Sequence, residues 1–410
     1  MATGFATEEA ASQLDEAKSL FISRVRIRGY KSISFCDVPL SPLTVLVGRN
    51  GSGKSNFVSA LQFARDFLRE GLYGAIEAHG GKSLFNKLDN DAVIEIKIWI
   101  QFQSMRTCEG SYSFRIRGDA RSGAVIESEQ LDLRDHSGAQ QYGFVRDEVS
   151  FRFLGEDNQP QPYPTASHPY LLLSELRQQP YIDLQLSMRS VGCFNFMPDA
   201  MRQLYHSVGS PQLEDSGANF ARTIEGMREI DAGLVQRVMD YLGAIVPDVA
   251  GFEAVNYGEY ETVRFNMRTG NGIVSFDASS MSDGTLRALA SLLAVFQVPL
   301  PHGRPSLVAI EEPETALHPA AMRVLVDAID EATFETQVIL TTHSAELLDN
   351  PTIRPENVRV VEMVDGRTII GAVDEASVEI VSRKINSLGN LERDDVLKPD
   401  LDSTSVKSTE

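Results

Sequence analysis

Eight residues, GRNGSGKS from Gly48 to Ser55, constrain this chain more than any other feature. They follow the apolar run LTVLV (43–47), which reads as a short buried strand. They precede a segment, Asn56 to Leu68, with Phe57, Leu61, Ala64 and Leu68 at helical spacing. Strand, glycine-rich turn and helix in that order make a phosphate-binding loop. Consecutive backbone N–H groups cradle a phosphate, and the positive end of the following helix adds to the attraction. Gly51 and Gly53 let the backbone come close. The expected nucleotide-lining residues are therefore Gly48, Arg49, Asn50, Gly51, Ser52, Gly53, Lys54, Ser55 and Asn56. Lys54 is expected to reach the β- and γ-phosphates, and Ser55 to put its hydroxyl on Mg²⁺. The loop by itself does not choose among classes of NTPase.

Two further stretches supply the groups such a loop needs for chemistry. In PSLVAIEEPETALHP (305–319), Leu307 to Ile310 reads as a buried strand ending in Glu311 and Glu312. Adjacent residues on a strand point opposite ways, so one carboxylate can serve the metal while its neighbour reaches an attacking water. Glu311 is assigned to Mg²⁺ and Glu312 to the water, as general base. In QVILTTHSAELLD (337–349), Val338 to Leu340 reads as another core strand, with His343 following it. A histidine there can contact a terminal phosphate or the activated water. The bland alternatives are surface acids at a strand end and a capping histidine.

A fourth stretch, SSMSDGTLRALASLLAVF (279–296), sets Ser282 and Gly284 at the start of a helix carrying Leu286, Leu289, Leu292, Leu293 and Phe296. Ser282 can be a simple N-cap, or the helix start can be a second phosphate-binding end. Because Lys54 already serves one phosphate site, a second on the same core makes sense in trans, closing over a nucleotide held by another copy.

The rest of the chain reads as a frame. FISRVRIRGYKSISF alternates, with Val25 and Ile27 on one face and Arg24, Arg26 and Arg28 on the other. That basic face is either a balanced sheet surface or a nucleic-acid or partner patch. AVIEIKIWIQFQ (92–103), SYSFRIRG and SFRFLG give antiparallel-sheet signals. Residues 156–169 read as a loop, 217–243 as helical, and the stretches near FEAVNYG and TVRFNM as strands. VRVVEMVDGRTIIG reads as a hairpin, followed by a short helix. Residues 1–19 read as a helical or frayed lead-in and the last dozen as disordered. The expected organisation is a first core half over 1–84, an inserted β-rich and helical lobe over 85–270, a second core half over 271–350 and a small extension over 351–410.

Composition narrows the partners. Lys and Arg total 38 against 57 Asp and Glu, a net charge of −19, which disfavours an always-on nucleic-acid binder. No apolar run is long enough to span a membrane. Cys36, Cys108 and Cys193 lie far apart without metal spacing, which suits a reducing, cytoplasmic setting.

GRNGSGKS, MSDGT, VAIEEPE and TTHS occur in the order found in ABC-type ATPase heads, and the chain resembles that class from about residue 22 to residue 350. ISRVRIRGYKSI, PDAMR, GANFARTI and FDASSMSDGTLRALA resemble the RecF/SMC/Rad50 branch, and especially stand-alone bacterial AAA-family, OLD-like ATPases without a Toprim domain. The resemblance implies an α/β P-loop NTPase fold of ABC-ATPase type with an antiparallel β subdomain and a mixed, partly helical middle lobe. It implies ATP and Mg²⁺ as ligands and a homodimer of heads, or a higher oligomer built from it. Gly48 to Ser55 becomes the Walker A loop. Met281 to Thr285 becomes the signature, with Ser282 and Gly284 facing the partner's γ-phosphate. Glu311 becomes the end of Walker B, Glu312 the catalytic acid and His343 the switch histidine, with His318 near the dimer-facing loop. Three features depart from the family pattern. Glu311 stands where an aspartate is usual, Asp283 stands where transporters carry glycine, and the Mg²⁺-sensing glutamine has only Gln101 and Gln103 as candidates. The 67 residues after His343 leave no space for a Toprim domain, so nuclease chemistry is expected of a separate effector if anywhere. The expected function is Mg²⁺-dependent ATP hydrolysis coupled to a DNA-related or phage-defence partner. The alternatives are a nucleotide-gated scaffold and a nucleic-acid clamp.

Overall fold

The computed structural model describes residues 20–89, 91–104, 106–119, 123–138, 140–154, 159–162, 168–298 and 304–400. The lead-in read over 1–19, most of the loop read over 156–169 and the end of the tail lie outside the described residues.

The phosphate-loop strand, Leu43–Val47, is buried at every position. A near-continuous apolar run of this kind suits the interior of a parallel sheet covered on both faces. The sheet runs in the order Gly192–Phe194, Leu307–Glu311, Gln337–Thr342, Leu43–Val47, Val358–Val364, Arg367–Ala372. The first five strands are parallel and the last pairs antiparallel. Register does the positioning. Glu311 is level with Thr341, and Thr342 is level with Val47. Residues 48, 312 and 343 therefore leave the sheet along one edge, at the carboxyl ends of the strands, where open α/β sheets bind ligands.

The second layer is an eight-stranded antiparallel sheet that begins Ile33–Pro39, Leu20–Tyr30, Val93–Gln103, Thr107–Asp119, Gly123–Asp135, Gln141–Arg146. Val25 and Ile27 face the core while Arg24 and Arg28 are exposed, as the alternation requires. The long strand Gly123–Asp135 does not stand out in the sequence, and the register explains why. Arg115 pairs with Ser128 but Ile116 pairs with Ile126, so Glu127 is an extra residue. A bulge of this kind flips the parity of one half of a strand against the other. One consequence is that Glu129 turns inward, where it accepts hydrogen bonds from Tyr112 Oη (2.9 Å) and Leu173 N (3.0 Å).

Between the two sheets runs the Lys54–Ala78 helix. It extends the helix read over 56–68 by almost three turns. Its Phe57, Phe63 and Phe67 are fully buried, and Phe67 meets Phe114 of the antiparallel sheet edge-on, with centroids 5.2 Å apart. Each such ring contributes about 1.5–3 kcal/mol by burial, which keeps the loop end of the helix in place. Helical geometry breaks once, at Gly71 (φ 80°, ψ 179°).

A third unit precedes the signature. The strands Val249–Tyr257 and Tyr260–Thr269 pack with the helices Phe220–Ile230 and Ala232–Ile245, and the exposed strand Gly272–Asp277 pairs with Tyr260–Thr269. The stretch read as one helical region is two helices, because Asp231 is extended and caps the second through Gly233 N at 2.8 Å. The Asp283–Phe296 helix follows, with Leu286, Leu289, Leu292, Leu293 and Phe296 all buried. Among the described residues no helix is long and apolar enough to cross a membrane. All three cysteines are buried and free.

Candidate functional site

The loop from Gly48 to Gly53 takes a shape that only glycine tolerates at several points. Gly53 has φ 107°, and a Cβ there would lie 2.0 Å from Thr368 Oγ1. Gly51 (φ 78°) has nothing within 4 Å of where a Cβ would sit, so its backbone is open to a ligand. Lys54 is buried, and its Nζ donates to the loop's own carbonyls, Gly48 O (2.6 Å) and Arg49 O (3.1 Å). Burial pushes its ammonium below the ordinary lysine range, opposed by Glu312, Glu314, Glu392 and Glu311. Such a lysine gains when an anion replaces the carbonyls. Ser52 is 3 % exposed, and its hydroxyl has no partner among the described residues.

Ser55 Oγ donates to Glu311 Oε2 at 2.5 Å. This joins the two residues read as metal ligands, and both present oxygen, as Mg²⁺ requires. Among the described residues no group of three or more His, Cys, Asp or Glu could hold a metal alone. Mg²⁺ characteristically takes one or two protein ligands and completes its shell from phosphate and water, so this pair fits it.

Glu312 and His343 stand together beside them, with His343 Nδ1 3.3 Å from Glu312 Oε1 and both side chains partly open to solvent. Glu312 has φ 43°, a left-handed conformation. For a non-glycine residue preceding a proline this costs about 1–3 kcal/mol. Its N–H is held by Thr341 O at 3.0 Å, and the turn aims the carboxylate at His343.

The signature end looks different. Ser282 is exposed and caps its own helix through Thr285 N (3.3 Å) and Thr285 Oγ1 (2.8 Å). Asp283 pairs with Arg202, which also donates to Met281 O at 3.0 Å. Gly284 is buried, and a Cβ there would lie 2.3 Å from Ala316 O, so it serves the close approach of the helix to the turn after Glu312. Neither Ser282 nor Gly284 lines the cavity beside the chain's own phosphate loop. His318 caps the Pro319–Ala332 helix, accepting from Ala320 N at 3.3 Å.

Other residues named from the sequence lie elsewhere or do something else. Asn56 Nδ2 donates to Ser32 Oγ at 2.6 Å, bracing the loop from below. Arg49 is exposed and pairs with Asp395. Gln101 lines a separate recess with Trp99, and Gln103 accepts from Thr107 at a hairpin end. Arg24 and Arg26 converge on Asp37, at 2.7 Å and 2.9 Å, and stack on Trp99. Much of their charge is thus balanced locally.

Three residues escaped the sequence reading. Thr368 Oγ1 donates to Ser52 O (3.0 Å) and hydrogen-bonds Ser32 Oγ (2.6 Å), so Thr368, on the Arg367–Ala372 strand, and Ser32, in the turn before Ile33–Pro39, fix the loop from two remote places. Glu314, 7 % exposed, accepts from Thr342 Oγ1 at 2.5 Å, ties the turn after Glu312 to the strand before His343, and leaves Oε2 without a partner among the described residues. Burial raises its carboxyl above the ordinary range. The only hint in the sequence was its position two residues after Glu312.

This sheet, loop and acid–histidine edge define a P-loop ATPase architecture, an ABC-ATPase-like head. The chain belongs to the family described as AAA domain, putative AbiEii toxin, Type IV TA system, whose model matches residues 43–349. It is 22% identical over 379 residues to a protein named OLD nuclease from Thermus scotoductus, covering 86% of this chain and 64% of that protein. This chain therefore spans a little under two thirds of that relative's length. Among solved structures it is similar to an Smc head bound to the C-winged helix domain of ScpA (15% identity, 87% of this chain, 99% of that one, TM-score 0.49). It is also similar to the SMC head domain from Thermotoga maritima (14% identity, 86% and 99%, TM-score 0.41).

Proposed function

We propose that this protein is a Mg²⁺-dependent ATP hydrolase whose heads dimerise around ATP. Lys54 leaves its carbonyls for the β- and γ-phosphates, and the open backbone around Gly51 receives them. Ser55 and Glu311 would hold Mg²⁺, which when bound neutralises charge on the phosphates. Glu312 orients water in line with the terminal phosphate and accepts its proton, while His343 steadies the carboxylate and the phosphate. Positioning and electrostatics supply most of the rate. The observation that carries this reading is the convergence of Ser55, Glu311, Glu312 and His343 at one sheet edge. The dimer is supported by Ser282, which is exposed and does not line the cavity beside its own phosphate loop. The family description and the OLD nuclease relative support coupling to a DNA-related or defence partner. The three buried, free cysteines fit a cytoplasmic setting.

A second reading, a nucleotide-gated scaffold with little turnover, has one observation in its favour: Asp283 puts a carboxylate at the signature end. Glu312→Gln tests both. Under the hydrolase reading the variant binds ATP, accumulates as an ATP-loaded dimer in sedimentation and loses roughly 10²–10⁴-fold in turnover. Turnover in the variant equal to that of the wild type would remove Glu312 from its role. A wild type that closes on ATP without turning over would favour the scaffold.

A further inference from the structure

The C-terminal segment returns to the phosphate loop. A cavity of about 350 Å³ opens there, lined by Gly48–Ser52, by the end of the Val358–Val364 strand including Met363, and by Glu392, Asp395 and Leu397. That size falls within the roughly 300–1,000 Å³ of small-molecule pockets.

Its place in the sheet says what it can hold. The hydrolytic groups Glu312 and His343 follow the Leu307–Glu311 and Gln337–Thr342 strands, on one flank of the loop strand. The cavity lies on the other flank, against Val358–Val364. A nucleotide with its terminal phosphate toward Glu312 must carry its nucleoside to that opposite flank. The chemistry of the lining agrees. Asp395 is held beside the loop by Arg49, with Nε–Oδ1 at 3.0 Å. Lys398 is taken by Glu362 at 3.0 Å. Glu392 is half-buried, and its carboxylate has no hydrogen bond or ion pair among the described residues. Burial and the neighbouring Asp395 raise its carboxyl above the ordinary range. Carboxylates repel phosphate but accept hydrogen bonds from hydroxyl and amino groups. The partly exposed Met363 adds an adaptable apolar surface suited to an aromatic ring. The buried, unpartnered hydroxyl of Ser52 lines the same cavity, where the loop meets it.

We propose that the C-terminal segment Leu388–Lys398, together with Met363, forms the nucleoside end of the site, with Glu392 and Asp395 accepting hydrogen bonds from the sugar and base and Met363 packing on the base. This rests on the reading of Gly48–Ser55 as a triphosphate site. The test is calorimetric titration of the full chain with Mg²⁺–ATP and with Mg²⁺–tripolyphosphate, which has the phosphates but no nucleoside. The ratio of ATP to tripolyphosphate affinity is expected to fall about tenfold in Glu392→Ala and about fivefold in Met363→Ala. Tripolyphosphate binding should be unchanged or tighter. Both side chains are at least partly exposed, so folding is not at stake. A ratio equal to that of the wild type in both variants overturns the proposal while leaving the phosphate loop intact. A wild type that binds neither ligand overturns the phosphate-loop reading and this one with it.

Discussion

Around the phosphate loop, several groups are held by distant parts of the same chain, whereas among the described residues the exposed hydroxyl at the signature is held by its own helix alone. Thr368 and Ser32 brace the loop, Glu311 takes Ser55, and Glu314 ties the turn after Glu312 to Thr342. Among the described residues the Ser282 hydroxyl meets only Thr285, three residues on. The first region is pre-organised and pays its ordering entropy on folding; the second defers it. On the proposed reading the second half of the site comes from another subunit, and assembly would then depend on ligand.

The sharpest way to break the comparison is to empty the pre-organised half. Lys54→Ala is expected to weaken ATP binding by about 100-fold or more, since it removes a charge-assisted contact to phosphate. Calorimetry giving equal affinity would mean that the loop does not hold phosphate. The deferred half comes next. Ser282→Arg should abolish ATP-induced dimers while leaving ATP affinity of the single subunit within about twofold, because that side chain touches nothing in its own site. Sedimentation showing unchanged dimers would argue against a shared pocket. Thr368→Val sharpens the comparison from the bracing side. It removes a hydroxyl that satisfies Ser52 O, and ATP affinity should drop about fivefold, roughly 1 kcal/mol. An unchanged value would show that packing alone holds the loop.

The smallest effect is expected from Glu314→Gln. Because burial raises the Glu314 carboxyl, the folded chain holds its proton more tightly than the unfolded chain does. Its cost to stability is absent at low pH. The cost grows as pH climbs from the unfolded carboxylate's range through that of the folded group, and is complete above it. The variant should therefore melt higher than the wild type at pH 8, on the order of 1–2 °C, with the gap closing toward pH 4. A gap independent of pH would point to lost packing instead.

Much of the site was legible because its motifs are local. Leu43–Val47 and the loop after it are a contiguous pattern, and Glu311, Glu312 and His343 each follow a short apolar strand that announces itself. The bulge at Glu127 hid a long strand by breaking its alternation, and Asp231 divided a helical stretch that composition alone would join. Arg24 and Arg26 made a basic face on paper, while their shared partner Asp37 appears only when two strands pair. On sequence alone Gly284 has one reason to be glycine, an approach to phosphate; its close packing against Ala316 O is visible only in the fold.

The amino-acid sequence by itself determined the order of the motifs, the chemistry each could offer and the class of fold able to gather them. Those follow from short-range rules: side-chain periodicity, glycine's freedom at a tight turn, and the residue types that bind phosphate and metal. Tertiary structure alone decided which remote residues stand against the loop. Thr368 lies 316 residues from Ser52, and Asp395 lies 346 from Arg49. No local pattern encodes such pairs. They arise from strand order and register, set by the burial of whole sheet faces, and individual polar contacts form where that packing brings them together.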